Sequence, residues 1–184
     1  MFRAAGIDIV DLNAANIAET QAEAELESAT TFEENALEKA RYFHRISGLP
    51  IVADDSGIEV AALSGGPGVH SKRWSERPDL SGRALDDANN ALLLERLADS
   101  ADRRARYVCA AAFCDDEWEF VEQGEVLGRI TRSRRGSGGF GYDPYFESAE
   151  LGRTFGEVTI EEKATVSHRA RAFAKLLRRM ASVR

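Results

Sequence analysis

The sequence predicts a layered fold, α/β or α+β, in which helices flank a mixed β-sheet. Amphipathic helical segments alternate with strand-like segments along the chain, which is typical of such folds. The chain has 184 residues, of which 43% are hydrophobic, and this is enough to bury a sizeable core. No internal repeat and no Pro/Gly/Ser-rich linker divides it. We therefore expect residues 1–184 to form a single domain.

The first predicted elements come before residue 50. Residues 6–12 alternate apolar and polar side chains, which predicts a short strand. Residues 14–28 form a polar, acidic connection. The sequence Thr31-Phe32-Glu33-Glu34 is a capping box, in which a hydroxyl and a carboxylate satisfy free amides at a helix start. The helix that it begins is predicted to run to about Ile46.

The remaining elements follow in order. Residues 50–60 predict a buried strand, a turn at Asp-Asp-Ser-Gly and a second extended piece. Residues 84–98 place their apolar side chains on one side of a helix. Residues 105–114 and 121–131 are rich in valine, other aliphatic residues and aromatic residues, and they predict a hairpin of two strands. Residues 167–180 predict a basic amphipathic helix at the end of the chain.

Two adjacent carboxylates, Asp54 and Asp55, interrupt the apolar run at residues 51–60. Neighbouring side chains of a strand point to opposite faces, whereas a turn beginning at Ser56-Gly57 can direct one of them into a cleft. A carboxylate in a cleft could bind a divalent metal ion or activate a water molecule. The alternative is an ordinary surface turn.

A glycine-rich segment, RGSGGFGYDP at residues 135–144, is a candidate ligand-binding loop. Its glycines allow the backbone to approach a ligand closely. Phe140 and Tyr142 offer aromatic faces, and Asp143 offers a hydrogen-bond acceptor. This combination suits a nucleobase. The alternative is a flexible loop whose aromatic side chains cover the core.

A third segment, residues 161–169, leads into the last helix. Thr165 or Ser167 can cap that helix, which would place His168 and Arg169 in its first turn. Basic groups usually favour the opposite end of a helix. The pattern therefore indicates a ligand rich in acceptors, such as a base carbonyl or a phosphate, with solvated charges as the alternative.

Charge and cysteine content exclude several classes of protein. The 31 acidic and 24 basic residues give a formal net charge of −7, which disfavours nonspecific binding to nucleic acid or to an anionic membrane. No segment is long and apolar enough for a membrane span. Cys109 and Cys114 match neither a disulfide framework nor the spacing of a zinc site. We expect a cytoplasmic protein without nucleic-acid or membrane partners.

Four segments, in this order, resemble the signature blocks of the inosine triphosphate pyrophosphatase (Ham1-like) family. They are TFEENALEKA (31–40), ADDSGIEVAALSGGPGVHSKRWS (53–75), GSGGFGYDPYF (136–146) and EEKATVSHRARA (161–172). The resemblance implies a twisted central mixed sheet flanked by helices, with two lobes around an active-site cleft. It implies Mg²⁺-dependent hydrolysis of ITP, dITP or XTP to the monophosphate and pyrophosphate, which removes deaminated purines from the nucleotide pool. It also implies a homodimer.

The resemblance assigns roles to individual residues. Asp55 would be the general base and a metal ligand, supported by Asp54. The residues expected to contact the substrate or shape its pocket are Ser56, Phe140, Gly141, Tyr142, Asp143, Lys163, His168 and Arg169, with Phe140 stacking on the purine. A pocket lined with donors would accept the 6-keto group of hypoxanthine and reject the 6-amino group of adenine.

The resemblance does not extend to the family's first segment. Family members open with a strand, a Thr/Ser-x-Asn-x-x-Lys turn and a helix that hold the triphosphate, and roughly twenty such residues have no counterpart here. Either the true start lies upstream of Met1, or the chain is a catalytically impaired purine-nucleotide-binding protein with an unpaired sheet edge. An unrelated interaction domain is a third interpretation, which four ordered segments disfavour. The family's second metal-binding carboxylate stays unassigned, because Leu26 occupies its expected register between Glu25 and Glu27.

Overall fold

The computed structural model describes residues 2–15, 17 and 26–183. Its helices and strands, in chain order, are α1 (Phe32–Ser47), β1 (Ile51–Val60), α2 (Gly82–Arg96), β2 (Arg104–Cys114), β3 (Glu119–Ile130), β4 (Phe146–Ser148), α3 (Ile160–Val166) and α4 (His168–Val183). Short 3₁₀ helices lie at Arg3–Ala5, Ala61–Leu63 and Gly68–Arg73. None of the helices in the described ranges combines the length and the apolar character that crossing a membrane requires.

The four strands form one sheet in the order β1-β2-β3-β4. Alternating side chains of β2 pack against a different helix on each face of the sheet. Val108, Ala110 and Ala112 pack against Phe32, Ala36 and Ala40 of α1. Cys109, Ala111 and Phe113 pack against Ala172, Leu176 and Met180 of α4. Because the facing side chains are mostly small, both helices lie close to the strand.

A third group of buried side chains covers the other end of the sheet, where α2 and the segments after β3 meet it. Its aromatic centre is Tyr107, whose ring lies 4.7 Å from that of Phe146 and 6.0 Å from that of Phe155. Leu93 and Leu97, in α2 and just after it, are fully buried against this group. The apolar side predicted for residues 84–98 therefore does contact the core.

The predicted helix-flanked sheet is confirmed, and so are the capped helix at residues 31–46, the hairpin and the terminal helix. Thr31 Oγ1 accepts a hydrogen bond from the Glu34 N–H at 3.2 Å, and Ser167 Oγ accepts one from Ala170 N–H at 3.2 Å. Ser167 is thus the cap of the last helix. A separate short helix, α3, precedes it and has its own capping box formed by Thr159 and Glu162.

Two expectations about strands are wrong. The expected mixed sheet has only antiparallel neighbours within the described residues, because each connection returns the chain in the reverse direction. Residues 7–11 form no strand. Ile9 and Val10 are 53% and 63% exposed, and alternation alone cannot make a strand where no neighbouring backbone supplies hydrogen bonds. The predicted connection at residues 14–28 lies largely outside the described residues.

The predicted turn at Asp-Asp-Ser-Gly is also wrong, because residues 51–60 form one continuous strand. Gly57 has a packing role there instead. A Cβ atom at this position would lie 2.4 Å from the carbonyl oxygen of Gly68 and 2.5 Å from Ser71 Oγ. The glycine therefore lets the 3₁₀ segment at residues 68–73 lie directly on the strand.

Candidate active site

A cavity of about 370 Å³ lies between the sheet with α1 and α4 on one side and α2 with the glycine-rich loop on the other. Every site residue predicted from the sequence borders it: Asp55, Ser56, Phe140, Gly141, Tyr142, Asp143, Lys163, His168 and Arg169. This cavity occupies the place of the expected cleft. Residues from three of the resembling segments therefore meet at one site, although they are far apart along the chain.

Asp54 and Asp55 point to opposite faces of the sheet, as strand geometry requires. Asp54 lies opposite Ala111 of β2 and faces α4, whereas Asp55 lies opposite Ala110 and faces α1. Within the described residues β1 is an edge strand. Carboxylates on both of its faces can therefore border the same cavity.

Asp55 is held by two side chains of α1. Its Oδ2 accepts a hydrogen bond from Asn35 Nδ2 at 3.0 Å, and its Oδ1 lies 3.3 Å from Lys39 Nζ. Asn35 is fully buried, and its own Oδ1 accepts a hydrogen bond from Ala29 N–H at 2.9 Å. The amide of Asn35 is thus fixed with its donor toward the carboxylate. The side chain of Asp55 keeps 12% of its surface exposed to the cavity.

Glu27 joins the same cluster from the segment before α1. Its Oε1 lies 3.2 Å from Lys39 Nζ, and Arg73 contacts both its Oε2, at 3.3 Å, and its backbone oxygen, at 2.6 Å. Burial opposes ionisation of Glu27, but the positive charges of Lys39, Lys72 and Arg73 outweigh this effect and lower its pKa. Glu27 is therefore a stable anion that faces the same ammonium group as Asp55.

Asp54 orients Arg169. Its Oδ2 accepts hydrogen bonds from Nε and Nη2 of Arg169 at 3.0 and 2.9 Å, and Nη2 also donates to Ser56 Oγ at 3.2 Å. Burial lowers the pKa of Arg169, but the neighbouring carboxylate more than compensates, so that the pKa is raised. The guanidinium group is held charged at the cavity wall.

Asp143 stabilises the glycine-rich loop from inside. It is 1% exposed, and its Oδ2 accepts hydrogen bonds from Phe140 N–H at 3.0 Å and from Lys163 Nζ at 2.5 Å. Gly139 has a φ of +71°, and a Cβ there would lie 2.2 Å from Asp143 Oδ2, so only glycine fits. Tyr142 is also buried, and its hydroxyl donates to the carbonyl oxygen of Ser71 at 2.8 Å.

Phe140 is the aromatic group that the loop presents outward. Its side chain is 66% exposed, and Lys163 Nζ lies 4.8 Å from the ring centroid. A cation beneath an aromatic face is an attractive arrangement. The outer face of the ring is free to stack on a planar ligand.

His168 is nearly buried beside this loop. It is 7% exposed and stacks on Tyr107, with ring centroids 4.7 Å apart and an interplanar angle of 8°. Burial and the positive charges of Arg169 and Lys163 lower the pKa of His168 to about 3. Its Nδ1 is buried without a hydrogen-bond partner in the described part of the chain. The imidazole is therefore neutral near pH 7.

Sequence reasoning missed several residues of the cavity wall. They are Lys39, Lys72, Asp86 and Asn89 together with Asn35 behind the wall, and Glu27, which the sequence leaves unassigned, also borders the cavity. One signal was available: Asn35 and Lys39 are four residues apart, so they lie on one side of α1, beside the apolar face of Phe32, Ala36 and Ala40. Glu25 lies outside the described residues.

Comparison with known proteins gives consistent matches. The model of the Ham1 family matches residues 1–179. A dITP/XTP pyrophosphatase of Ralstonia nicotianae is 43% identical over 178 residues, which cover 95% of this chain and 85% of that protein. A dITP/XTP pyrophosphatase of Aromatoleum aromaticum is 46% identical over 180 residues, covering 96% and 86% of the two chains.

Solved structures agree with these sequence matches. A HAM1 protein from Coxiella burnetii has a TM-score of 0.83 and 34% identity, and the match covers 96% of this chain and 87% of the other. A nucleoside-triphosphatase, dITP/XTP pyrophosphatase, from Mycobacterium abscessus has a TM-score of 0.74 and 44% identity, with coverage of 94% and 87%.

Proposed function

This chain belongs to the Ham1 family, and we propose that it is a pyrophosphatase that hydrolyses non-canonical purine nucleoside triphosphates. The substrates are ITP, dITP and XTP, and the products are the monophosphate and pyrophosphate. Relatives at 43% and 46% identity carry the name dITP/XTP pyrophosphatase. The observation that carries the proposal is one cavity that joins the Asp55 carboxylate to the exposed ring of Phe140. Such an enzyme removes deaminated purines from the nucleotide pool.

Asp55 is the general base in this proposal. Water is a poor nucleophile near neutral pH, so a positioned carboxylate that takes its proton accelerates attack on phosphorus. Asn35 and Lys39 fix the orientation of the carboxylate at 3.0 and 3.3 Å while leaving it open to the cavity. Both supporting residues act by holding the base in place.

The residues around Lys39 fit a Mg²⁺ ion. Glu27 and Asp55, from separate segments, lie 3.2 and 3.3 Å from the same ammonium nitrogen, so both carboxylates can face one cation. Proteins commonly bind Mg²⁺ through one or two carboxylates, with water and substrate phosphates completing the coordination. Glu27 and Asp55 would hold the ion, which when bound offsets negative charge on the phosphate oxygens.

The cations of the cavity are suited to a triphosphate. Lys39, Lys72 and Arg169 line the wall near the carboxylates, and Lys163 lies on the side of Phe140. We place the phosphate groups toward Lys39 and Lys72, and the base toward Phe140, Lys163 and Arg169.

Selection of the base depends on neutral and cationic donors near the aromatic loop. The neutral imidazole of His168 can donate from one ring nitrogen, and Lys163 and Arg169 donate as cations. A 6-keto purine presents an acceptor to such donors, whereas adenine presents its amino group. An unmatched polar group in a desolvated site is costly, so discrimination is large.

We also propose that the protein is a cytoplasmic homodimer. Cys109 and Cys114 are both free and buried, which is consistent with a reducing compartment. The dimer is expected from the family resemblance. Size-exclusion chromatography with light scattering would measure the mass directly, and a mass of one chain at micromolar concentration would contradict the dimer.

The decisive experiment is pyrophosphate release from ITP, dITP and XTP with Mg²⁺, with ATP and GTP as comparison substrates. We expect release from the first three, little from ATP, and a loss of at least about 100-fold in Asp55→Asn. We also expect little release from GTP, whose rejection must come from its 2-amino group because it shares the 6-keto group. Asp87→Asn is the matched control, because Asp87 is an exposed carboxylate of α2 outside the cavity. A folded wild-type chain that binds IMP but releases no pyrophosphate would instead support a nucleotide-binding protein without catalysis.

A further inference from the structure

Three polar side chains lie on one face of α2, and two of them, Asp86 and Asn89, border the cavity. Asp86, Asn89 and Asn90 are spaced three and four residues apart, which places them together on a helix. Asn89 and Asn90 are each only 3% exposed. Burying a polar group is costly unless it is hydrogen-bonded, so the partners of these side chains indicate what this face of the helix does.

Asp86 and Asn90 together hold Gly141. The Gly141 N–H donates to Asp86 Oδ2 at 2.8 Å, and Asn90 Nδ2 donates to the Gly141 carbonyl oxygen at 2.9 Å. The same Asn90 nitrogen donates to the carbonyl oxygen of Asp86 at 2.8 Å, which fixes the amide relative to the helix. The peptide groups on both sides of the Gly141 Cα are therefore attached to α2.

This attachment determines the position of Phe140. The ring is 66% exposed, so packing against the core does not fix it. Its backbone is held on one side by Asp143 Oδ2, which accepts from Phe140 N–H at 3.0 Å, and on the other side by the Asp86 contact with Gly141. Gly141 has a φ of +57°, which glycine adopts without strain, and the hydrogen bonds on both sides select this conformation among those that glycine allows.

The third side chain connects α2 to the opposite wall. Asn89 Oδ1 accepts a hydrogen bond from Ser75 N–H at 2.8 Å, and its Nδ2 donates to the Lys72 carbonyl oxygen at 3.0 Å. One helix face thus binds the backbone of both the 71–75 segment and the loop that bears Phe140. The separation of these two walls is set by α2.

We propose that Asp86 and Asn90 are positioning residues that set the selection of the purine base by fixing the Phe140–Gly141 backbone. This inference rests on the proposed function, since it assumes that a purine stacks on Phe140. A hydrogen-bonding pocket distinguishes 6-keto from 6-amino purines only when the ring is held within a fraction of an ångström. Weakening the hold on Phe140 should therefore reduce selectivity more than it reduces chemistry at the phosphates.

Asp86→Ala and Asn90→Leu test the proposal, with Asp87→Ala as the matched control on the same helix. Loss of a buried hydrogen bond to a charged or amide group should raise KM for ITP about tenfold with a smaller change in kcat. The ratio of kcat/KM for ITP to that for ATP should fall by a similar factor. Asp86→Asn, which keeps an oxygen acceptor for Gly141, should retain more of that ratio than Asp86→Ala.

The affinities for IMP and AMP, measured by calorimetry, separate this proposal from the proposed function. A fall in the IMP preference in Asp86→Ala and Asn90→Leu supports the positioning role even if wild-type protein releases no pyrophosphate from ITP. An equal fall for both nucleotides would show a purely structural role and overturn the proposal. A ratio of kcat/KM for ITP to that for ATP that is unchanged in both variants would overturn the proposal as well. If Asp86→Ala does not fold, Asn90→Leu and Asp86→Asn still give these readings.

Discussion

Replacing His168 with phenylalanine should remove a loss of stability that the wild-type protein shows on acidification. His168 is 7% exposed and stacked on Tyr107, and burial together with Arg169 and Lys163 lowers its pKa to about 3. Phenylalanine keeps a planar ring for the stacking contact. It also leaves no stranded partner among the described residues, because Nδ1 has none there.

The size of the effect follows from the two pKa values of His168. In the unfolded chain the pKa is near 6.5, and in the folded chain it is about 3. Between these values the unfolded state binds a proton that the folded state excludes, so the free energy of unfolding falls as the pH falls. At about 1.36 kcal/mol per pH unit, lowering the pH from 7 to 5 costs the wild-type protein about 2 kcal/mol through this residue. Well above pH 6.5, where the unfolded state no longer binds the proton, the residue contributes no pH dependence.

Urea denaturation followed by tryptophan fluorescence at pH 7, 6 and 5 measures the effect. The free energy of unfolding of the wild type relative to that of His168→Phe should fall by about 2 kcal/mol over this range. Any strain from the larger ring shifts all three values equally, and every other titratable group is common to both proteins. Parallel pH dependences for the two proteins would refute the reasoning, since they would mean that His168 titrates normally in the folded state.

Three further changes test other parts of the structure. Gly124→Ala should destabilise the protein by about 3 kcal/mol or more, because the new Cβ would lie 2.3 Å from the His168 oxygen and 2.4 Å from the Ala172 nitrogen; an unchanged midpoint in urea would contradict this. Phe140→Ala should change the free energy of unfolding by less than about 0.5 kcal/mol, because the ring is 66% exposed. The same substitution should weaken IMP binding about tenfold. An IMP affinity like that of the wild type would count against stacking. Glu27→Gln should raise the Mg²⁺ concentration needed for half-maximal nucleotide binding, measured by calorimetry against Glu117→Gln; equal Mg²⁺ requirements would remove Glu27 from the metal site.

The elements that the sequence predicts correctly are those whose signals are local. A capping box and an apolar face suffice for α1, and two runs of aliphatic and aromatic residues around a short acidic turn suffice for the hairpin of β2 and β3. The strand expected at residues 6–12 fails because a strand depends on a partner elsewhere in the chain. Gly57 was assigned to a turn for a similar reason: its role is to accept the close approach of Gly68 and Ser71, which no local pattern reveals.

The residues of the candidate site also fall into two groups, those that a local sequence pattern predicts and those that depend on distant contacts. Unusual residue types in unusual places, such as Phe140 among glycines and His168 at a helix start, were visible in the sequence. The supporting residues Asp86 and Asn90 were not, because they act through hydrogen bonds to a distant segment. The role of Asp143 also differs from that of a free acceptor for the base. It is 1% exposed, and its contacts hold the loop and Lys163.

The pair Asp54-Asp55 shows how one strand can make two different sets of contacts from adjacent positions. Because successive side chains alternate, Asp54 reaches Arg169 of α4 while Asp55 reaches Asn35 and Lys39 of α1. A turn would have placed both carboxylates in one environment, where like charges close together raise the pKa of one of them. The strand instead gives each carboxylate its own cation on its own face. In the function proposed above, Asp55 would act on water and metal while Asp54 holds the guanidinium group of Arg169.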